Sequence, residues 1–317
     1  MSNITNKHNV PLALAVWLVA DNYDYQNREN YVSVTSLMRP LRQLVLSART
    51  IAGSLESDLA DYAARSMGNA LHDSIEKAWL NNYRKSMEIL GYPKKVIDRI
   101  LVNPSDELLA RTKDAIPIYL EQRAFKKVGK WTVGGKYDMV ADGVVHDNKS
   151  TSAFTWVSGG KDKDYQLQGS LYRWLNPDKI TEDFIRINFI FTDWSKAEAR
   201  TNPNYPQAKV QAKEVPLLSI EETQAWVEDK LRQIEVYWDA PDDKIPECTD
   251  EELWRAPPKY KYYGNALKTD GRSTKNFDDA AEPNRVWKHE KGGAGVVIPV
   301  VGEPTTCNYC HAIHHCK

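Results

Sequence analysis

The chain has 317 residues, 42% of them apolar and 27% charged, which supports a sizeable core and excludes wholesale disorder. Its 42 Lys and Arg against 43 Asp and Glu leave a net charge of −1, so no global basic excess announces a nucleic-acid binder, although a local patch would suffice. No stretch reaches about 18 consecutive apolar residues, which excludes a membrane-spanning helix.

In chain order, the apolar run from Val10 to Ala20 lacks the basic flank and small-residue cleavage site of a signal peptide, so it reads as a helix of the fold. Residues 10–65 read as helical: Val34, Leu37, Leu41, Leu44 and Val45 recur at spacings of three and four, with Ser33, Thr35 and Ser36 as N-cap candidates. A second helix is expected from Leu55 to Leu90. Pro93 and Pro104 punctuate the next stretch, and a short helix fits Ser105 to Arg111.

The texture changes near Ile116. Tyr119 to Lys127 reads as a strand with Glu121 inside it, and Lys130 to Val140 as another. Asp142-Gly143 is a strong hairpin dipeptide, after which Val144 to Thr151 returns as a strand. Gly159-Gly160 marks a loop, Tyr165 to Leu175 a helix, Phe184 to Phe191 and Ala208 to Val215 two strands, and Ser219 to Trp238 a helix with an acidic start. After Asp239, Pro241, Pro246, Pro257 and Pro258 suggest a linker or an extended wrap. At about 100–200 residues per domain, one large domain or a core with an appendage is expected. The division falls into a core over 1–240 and an extension over 241–317.

The hairpin GGKYDMVADGVVHDNKST over 134–151 carries the chemistry. Asp138 is expected on its first strand. Asp147 and Lys149, two apart, share a face of the second. The turn lets the two carboxylates converge. Such a pair suits Mg²⁺ or Mn²⁺ through hard oxygen ligands, and the lysine can orient water or stabilise charge at a phosphodiester. Asp-x-Lys alone is common, and a solvated hairpin would carry the same residues. His72 lies on a helix upstream, and Gln168 and Tyr172 are four apart on a helix downstream, hence on one face.

Taken together, Gly68…His72, Gly135-Lys-Tyr-Asp138, Asp147-Asn-Lys149 and Gln168…Tyr172 resemble the motif set of the RecB-like branch of the PD-(D/E)XK nuclease superfamily. The segment from Tyr31 to Leu37 also looks like the serine- and threonine-rich start of such nucleases, so the resemblance spans roughly 31–195. It implies an α/β, restriction-endonuclease-like core in which a mixed sheet is flanked by helices. It implies that Asp138, Asp147 and Lys149 are catalytic. His72, Asp138, Asp147 and the carbonyl of Asn148 would hold the metal, while Gln168 and Tyr172 would support the site or touch DNA.

All four cysteines lie in the last 70 residues, at 248, 307, 310 and 316. Without a secretory signal their number points to a reducing cytoplasm, the host's if the gene is a phage's. Cys307, Cys310 and Cys316 form C-x2-C-x5-C, a spacing suited to Zn²⁺ or an iron–sulfur cluster, with Cys248 as a fourth thiolate or His311, His314 and His315 as alternative zinc ligands. The resemblance favours a [4Fe–4S] cluster, but there the fourth Cys precedes the core, whereas Cys248 follows it. The stretch from Cys248 to Tyr260 is similar to a tail of phage-encoded nucleases of this group. Residues 255–275 hold six basic residues and one acidic, a local balance of +5, interleaved with Tyr260, Tyr262 and Tyr263. They are a candidate DNA-tracking segment in which lysines meet phosphates and tyrosines stack on bases.

The expected function is a metal-dependent DNA exonuclease of replication, recombination or repair, with DNA and proteins of those processes as partners. The alternative is a non-catalytic DNA-binding protein with a nuclease-like core and a zinc or iron–sulfur module.

Overall fold

The computed structural model describes residues 3–21, 24–26, 28–50, 56–290 and 292–316. The expected helix start at Leu55 lies outside them. The chain forms two compact units, residues 1–39 with 51–235, and residues 40–50 with 236–317. Among the described residues no helix is long and apolar enough to cross a membrane.

In chain order the elements begin with β1 (Asn3–Thr5), α1 (Leu12–Val19), β2 (Tyr31–Ser33), α2 (Val34–Leu37), α3 (Leu41–Arg49) and β3 (Glu56–Asp58). The long helix α4 (Ala63–Ile89) follows, then α5 (Lys94–Ile97), β4 (Ile100–Val102), α6 (Asp106–Arg111), β5 (Ile116–Leu120), β6 (Arg123–Val128), β7 (Trp131–Lys136), β8 (Met139–Ala141) and β9 (Val144–Thr151). Next come α7 (Ala153–Ser158), α8 (Asp162–Leu175), β10 (Phe184–Phe191), α9 (Lys196–Thr201), β11 (Val210–Pro216) and α10 (Ile220–Tyr237). The last elements are β12 (Lys259–Tyr263), β13 (Lys275–Phe277), α11 (Ala281–Arg285) and β14 (Val296–Val300).

The single helical region expected over 10–65 is instead broken into α1, β2, α2 and α3. Pro40 stands immediately before α3, where a missing N–H costs nothing but a preceding helix cannot continue. Ser33 does cap α2, its hydroxyl accepting the Ser36 N–H at 3.1 Å. The residues before it, Tyr31 to Ser33, are drawn into a strand that pairs in parallel with β7.

The first unit is built on a mixed six-stranded sheet in the order β11-β10-β9-β8-β5-β4, flanked by helices. β9 and β10 are parallel, with Asp147 opposite Ile187 and Lys149 opposite Phe189. β10 alternates strictly, burying Ile185, Ile187, Phe189 and Phe191. That face meets α8. A Cβ on Gly169 would sit 2.8 Å from the Ile185 Cβ and 2.7 Å from the Leu217 Cδ2, so only a glycine lets helix and sheet approach this closely. At the other end of the sheet Trp79, Tyr83 and Met87 of α4 pack on Ile100, Ile118, Leu120 and Met139.

One departure from the sequence reading shapes the site. Tyr119 to Lys127 is two strands, not one, and Lys130 to Val140 is likewise divided. β5 pairs antiparallel with β8 in the large sheet, whereas β6 pairs antiparallel with β7 in a second, three-stranded sheet ordered β2-β7-β6. One bent hairpin therefore passes from one sheet to the other. At the bend Glu121 adopts the left-handed conformation, φ 50°, a conformation that costs a non-glycine residue about 1–2 kcal/mol. Its N–H bonds the Asp138 carbonyl at 3.0 Å. The next turn follows its sequence signature. Asp142 and Gly143 have φ of 48° and 79°, as a two-residue hairpin loop between β8 and β9 requires.

In the second unit β13-β12-β14 form an antiparallel three-stranded sheet. Tyr262, Phe277 and Val286 make its core, with Tyr260, Trp287 and Val297 packed against them. Tyr262 and Tyr263 of the window 255–275 are thus not offered to bases, whereas residues 264–274 form a loop between β12 and β13. Tyr262 and Tyr263 are buried. Tyr260 and Tyr262, two apart, point to one face of β12 and close a core.

Candidate metal centre and active site

The strand β9 carries Asp147 into the interior and Lys149 toward its edge. Asp147 is 2% exposed. Its Oδ2 is ion-paired with the Lys149 Nζ at 2.7 Å. Oδ1 accepts from Gln168 Nε2 at 3.2 Å, and the same amide lies 3.1 Å from the Tyr172 hydroxyl. The i, i+4 pair on α8 is therefore a support for Asp147 from the covered face of the sheet.

Asp138 is not on a strand, as expected, but in the break between β7 and β8 at the hairpin bend. A strand would alternate its side chain with its neighbours. The break frees it to face α4, where its Oδ2 lies 3.1 Å from His72 Nδ1. The same oxygen accepts the backbone N–H of Asn148 at 3.0 Å. Since Asn148 stands between Asp147 and Lys149, this bond ties the two carboxylates together. The Asn148 side chain points to the other face and accepts from Asn188 at 3.1 Å.

Glu121 completes a group that sequence reasoning missed. One ligand atom each from His72, Glu121 and Asp138 lie within 4.8 Å of one another, and among the described residues no other three His, Cys, Asp or Glu do so. Asp147 stands outside that distance. The available signal was an acidic residue inside a run of strand formers. Glu121 is ion-paired with Lys136.

The electrostatics follow from burial. Burial pushes the Asp147 carboxyl up, Lys149 opposes this, and the charge of Asp138 adds to it. The Asp138 carboxylate raises the His72 imidazole by accepting its proton's hydrogen bond, against the effect of burial. Glu121 is raised by burial, against Lys136. A buried acid beside a lysine, a histidine and two further carboxylates make a hard oxygen and nitrogen donor set suited to a divalent cation.

The second unit holds the cysteines. Cys248, Cys307 and Cys310 are half-buried and Cys316 is exposed, and none is in a disulfide. Burial pushes the Cys248 thiol up to about 11, with Glu252, Cys316 and Cys310 adding to the shift in that order. Cys316 and Cys310 thus lie near enough to affect Cys248, but no three of the four sulfurs lie within 4.8 Å of one another. His311, His314 and His315 form no such group with them either, and His315 lies 3.6 Å from Asp242.

No family model matches the chain, and no curated protein matches it. Among solved structures, SSO0001 overlaps it with a TM-score of 0.40 at 14% identity, over 66% of this chain and 78% of that one. A protein of Eubacterium rectale provisionally named an exonuclease overlaps with a TM-score of 0.36 at 13% identity, over 72% and 88% of the two chains. At this level of overlap neither likeness bears on activity.

Proposed function

We propose that the chain is a metal-dependent deoxyribonuclease of the RecB-like, PD-(D/E)XK kind, acting as an exonuclease in replication, recombination or repair. The observation that carries this reading is Asp147: a buried carboxylate ion-paired at 2.7 Å with a lysine and tied through Asn148 to the His72–Asp138 pair. His72, Asp138 and Asp147 would hold Mg²⁺ or Mn²⁺, with Glu121 beside them. Such an ion, when bound, lowers the pKa of a water and neutralises charge on the phosphate.

The chain's own residues do the rest. Gln168 fixes Asp147 through Oδ1, and Oδ2 faces Lys149. Lys149 is about one-third exposed, so its ammonium can reach both Asp147 and a phosphate oxygen on which charge develops. Tyr172 anchors the Gln168 amide from a buried position. The four cysteines, none of them in a disulfide, would hold a [4Fe–4S] cluster or Zn²⁺.

End-labelled linear DNA, single- and double-stranded, incubated with Mg²⁺ or Mn²⁺ tests the reading. Wild type should degrade it, Lys149→Ala and Asp138→Ala should not, and the label gives the polarity. Equal degradation by all three proteins, or none by wild type with either metal, would refute it.

A further inference from the structure

The carboxylates around the bend are each matched by a nitrogen. Lys149 is ion-paired with Asp147, Asp138 faces the His72 imidazole at 3.1 Å, and Lys136, the last residue of β7, is ion-paired with Glu121. The two lysine pairs differ in their surroundings. Asp147 is buried, whereas the Glu121 and Lys136 side chains are 19% and 38% exposed. Among the described residues it is Glu121, not Asp147, that joins His72 and Asp138 in a group whose ligand atoms all lie within 4.8 Å of one another.

The backbone holds Glu121 in that place. Its N–H bonds the Asp138 carbonyl at 3.0 Å, and the Gln122 carbonyl accepts the Tyr137 N–H at 3.3 Å. The turn between β5 and β6 is thereby fixed against the break between β7 and β8, so Glu121 and Asp138 are set as one piece. A φ of 50° is easier for a glycine than for a glutamate, yet a carboxylate stands there. A divalent cation between His72, Glu121 and Asp138 would meet two hard carboxylate oxygens and an imidazole nitrogen. It would also meet an ammonium already on Glu121. Lysine carries its charge on a flexible four-carbon stem, and an ion pair open to solvent is only modestly held. Lys136 can therefore yield its place and turn to water.

We infer that Glu121 ligates the same cation as His72 and Asp138, and that Lys136 is the counter-ion which a divalent metal displaces from it. The inference rests on reading His72 and Asp138 as metal-holding, and adds to that reading a ligand and its competitor. With the site empty, Lys136 offsets the repulsion between the Glu121 and Asp138 carboxylates. With the site filled, the cation takes over that role. Metal affinity is thus lower than the donors alone would give, because one ion pair has to break first.

Mn²⁺ is the probe. Full-length protein without DNA is titrated as wild type, Glu121→Ala, Lys136→Met and the Glu121→Ala/Lys136→Met double variant, with circular dichroism on each. Electron paramagnetic resonance counts the free ion, and water-proton relaxation counts the waters left on the bound one. Glu121→Ala should bind about 10–100-fold more weakly, and its ion should carry an additional water where the carboxylate was. Lys136→Met should bind roughly 2–5-fold more tightly, since no pair has to break. In the Glu121→Ala background the same change should add almost nothing.

No Mn²⁺ bound by wild type would overturn the metal reading of the first unit and the inference with it. Binding by wild type that Glu121→Ala leaves unchanged, or weakens without an added water, would overturn the ligand assignment alone. Lys136→Met binding that is unchanged or weaker, or a gain that persists in full beside Glu121→Ala, would overturn the counter-ion assignment, because a charge acting only through space needs no Glu121. Should Glu121→Ala not fold, unchanged affinity in Glu121→Gln decides against the ligand. Should Lys136→Met not fold, Lys136→Gln is read by the same criterion.

Discussion

The hairpin bend of the first unit and the cysteine-bearing part of the second are held together by different means. At the bend, regular pairing does most of the work: β9 is held on both edges by β8 and β10, and Asp147, Asn148 and Lys149 inherit their directions from it. Only Asp138 and Glu121 depend on a local irregularity. Around the cysteines the regular structure is limited to short 3₁₀ turns at Asp242–Lys244, Thr305–Tyr309 and Ile313–His315, and side-chain donors to carbonyls and sulfur add to them. A site on strands is pre-organised before any ligand arrives, whereas a site on loops gains much of its order from the ligand, so that binding energy becomes folding energy.

That contrast can be broken in several ways. The largest effect is expected at the bend. Asp147→Asn or Lys149→Ala should lower metal-dependent cleavage by about 10²–10³-fold or more without changing the far-ultraviolet circular dichroism. Loss of the fold in both would mean that the pair is structural.

Next comes the cysteine-bearing part of the second unit. Chelation, or Cys248→Ser, should lower the melting of the second unit by roughly 10 °C or more in calorimetry and leave that of the first in place. A common shift of both units would show that the second is not ordered by its own ligand.

Packing gives a smaller number. Gly169→Ala forces a Cβ against Ile185 and Leu217, and should destabilise the first unit by about 1–3 kcal/mol in denaturant unfolding.

The pH dependence sharpens the comparison further. Asp147 and His72 are both raised in the fold, and both must lose a proton to ligate a cation. Mn²⁺ affinity should therefore rise with pH and binding should release protons, about tenfold per pH unit for each proton released. Without metal the sign reverses. Groups raised in the folded state hold protons more tightly there than in the unfolded chain, so metal-free stability falls as pH climbs past their ordinary values. Calorimetric titration in buffers of different ionisation heat and denaturant midpoints across pH read the two slopes. Slopes of the same sign would contradict the assignment.

The legibility of the chain follows the same division. β9, β10 and α8 were readable because alternation and four-residue spacing state both the element and the face, and this carried Asp147, Lys149, Gln168 and Tyr172 with it. The bend was not readable: a left-handed Glu121 has no sequence mark, since glycine is the usual signal for that conformation. The charges interleaved with Tyr260, Tyr262 and Tyr263 suggest a binding surface, although the same period builds a buried strand face. Arg42, which donates to the Asp242 and Ile245 carbonyls and to the Cys316 sulfur, could not be found at all, because its partners lie 200 or more positions away.

The most direct test of the central claim separates metal binding from chemistry in one variant. Bound Mn²⁺ is counted by electron paramagnetic resonance in wild type and Lys149→Ala, and cleavage is measured on the same samples. The account predicts that Lys149→Ala holds Mn²⁺ nearly as well as wild type and cuts at least about 10²-fold more slowly. Undiminished cleavage by Lys149→Ala, or no Mn²⁺ bound to wild type, would contradict it.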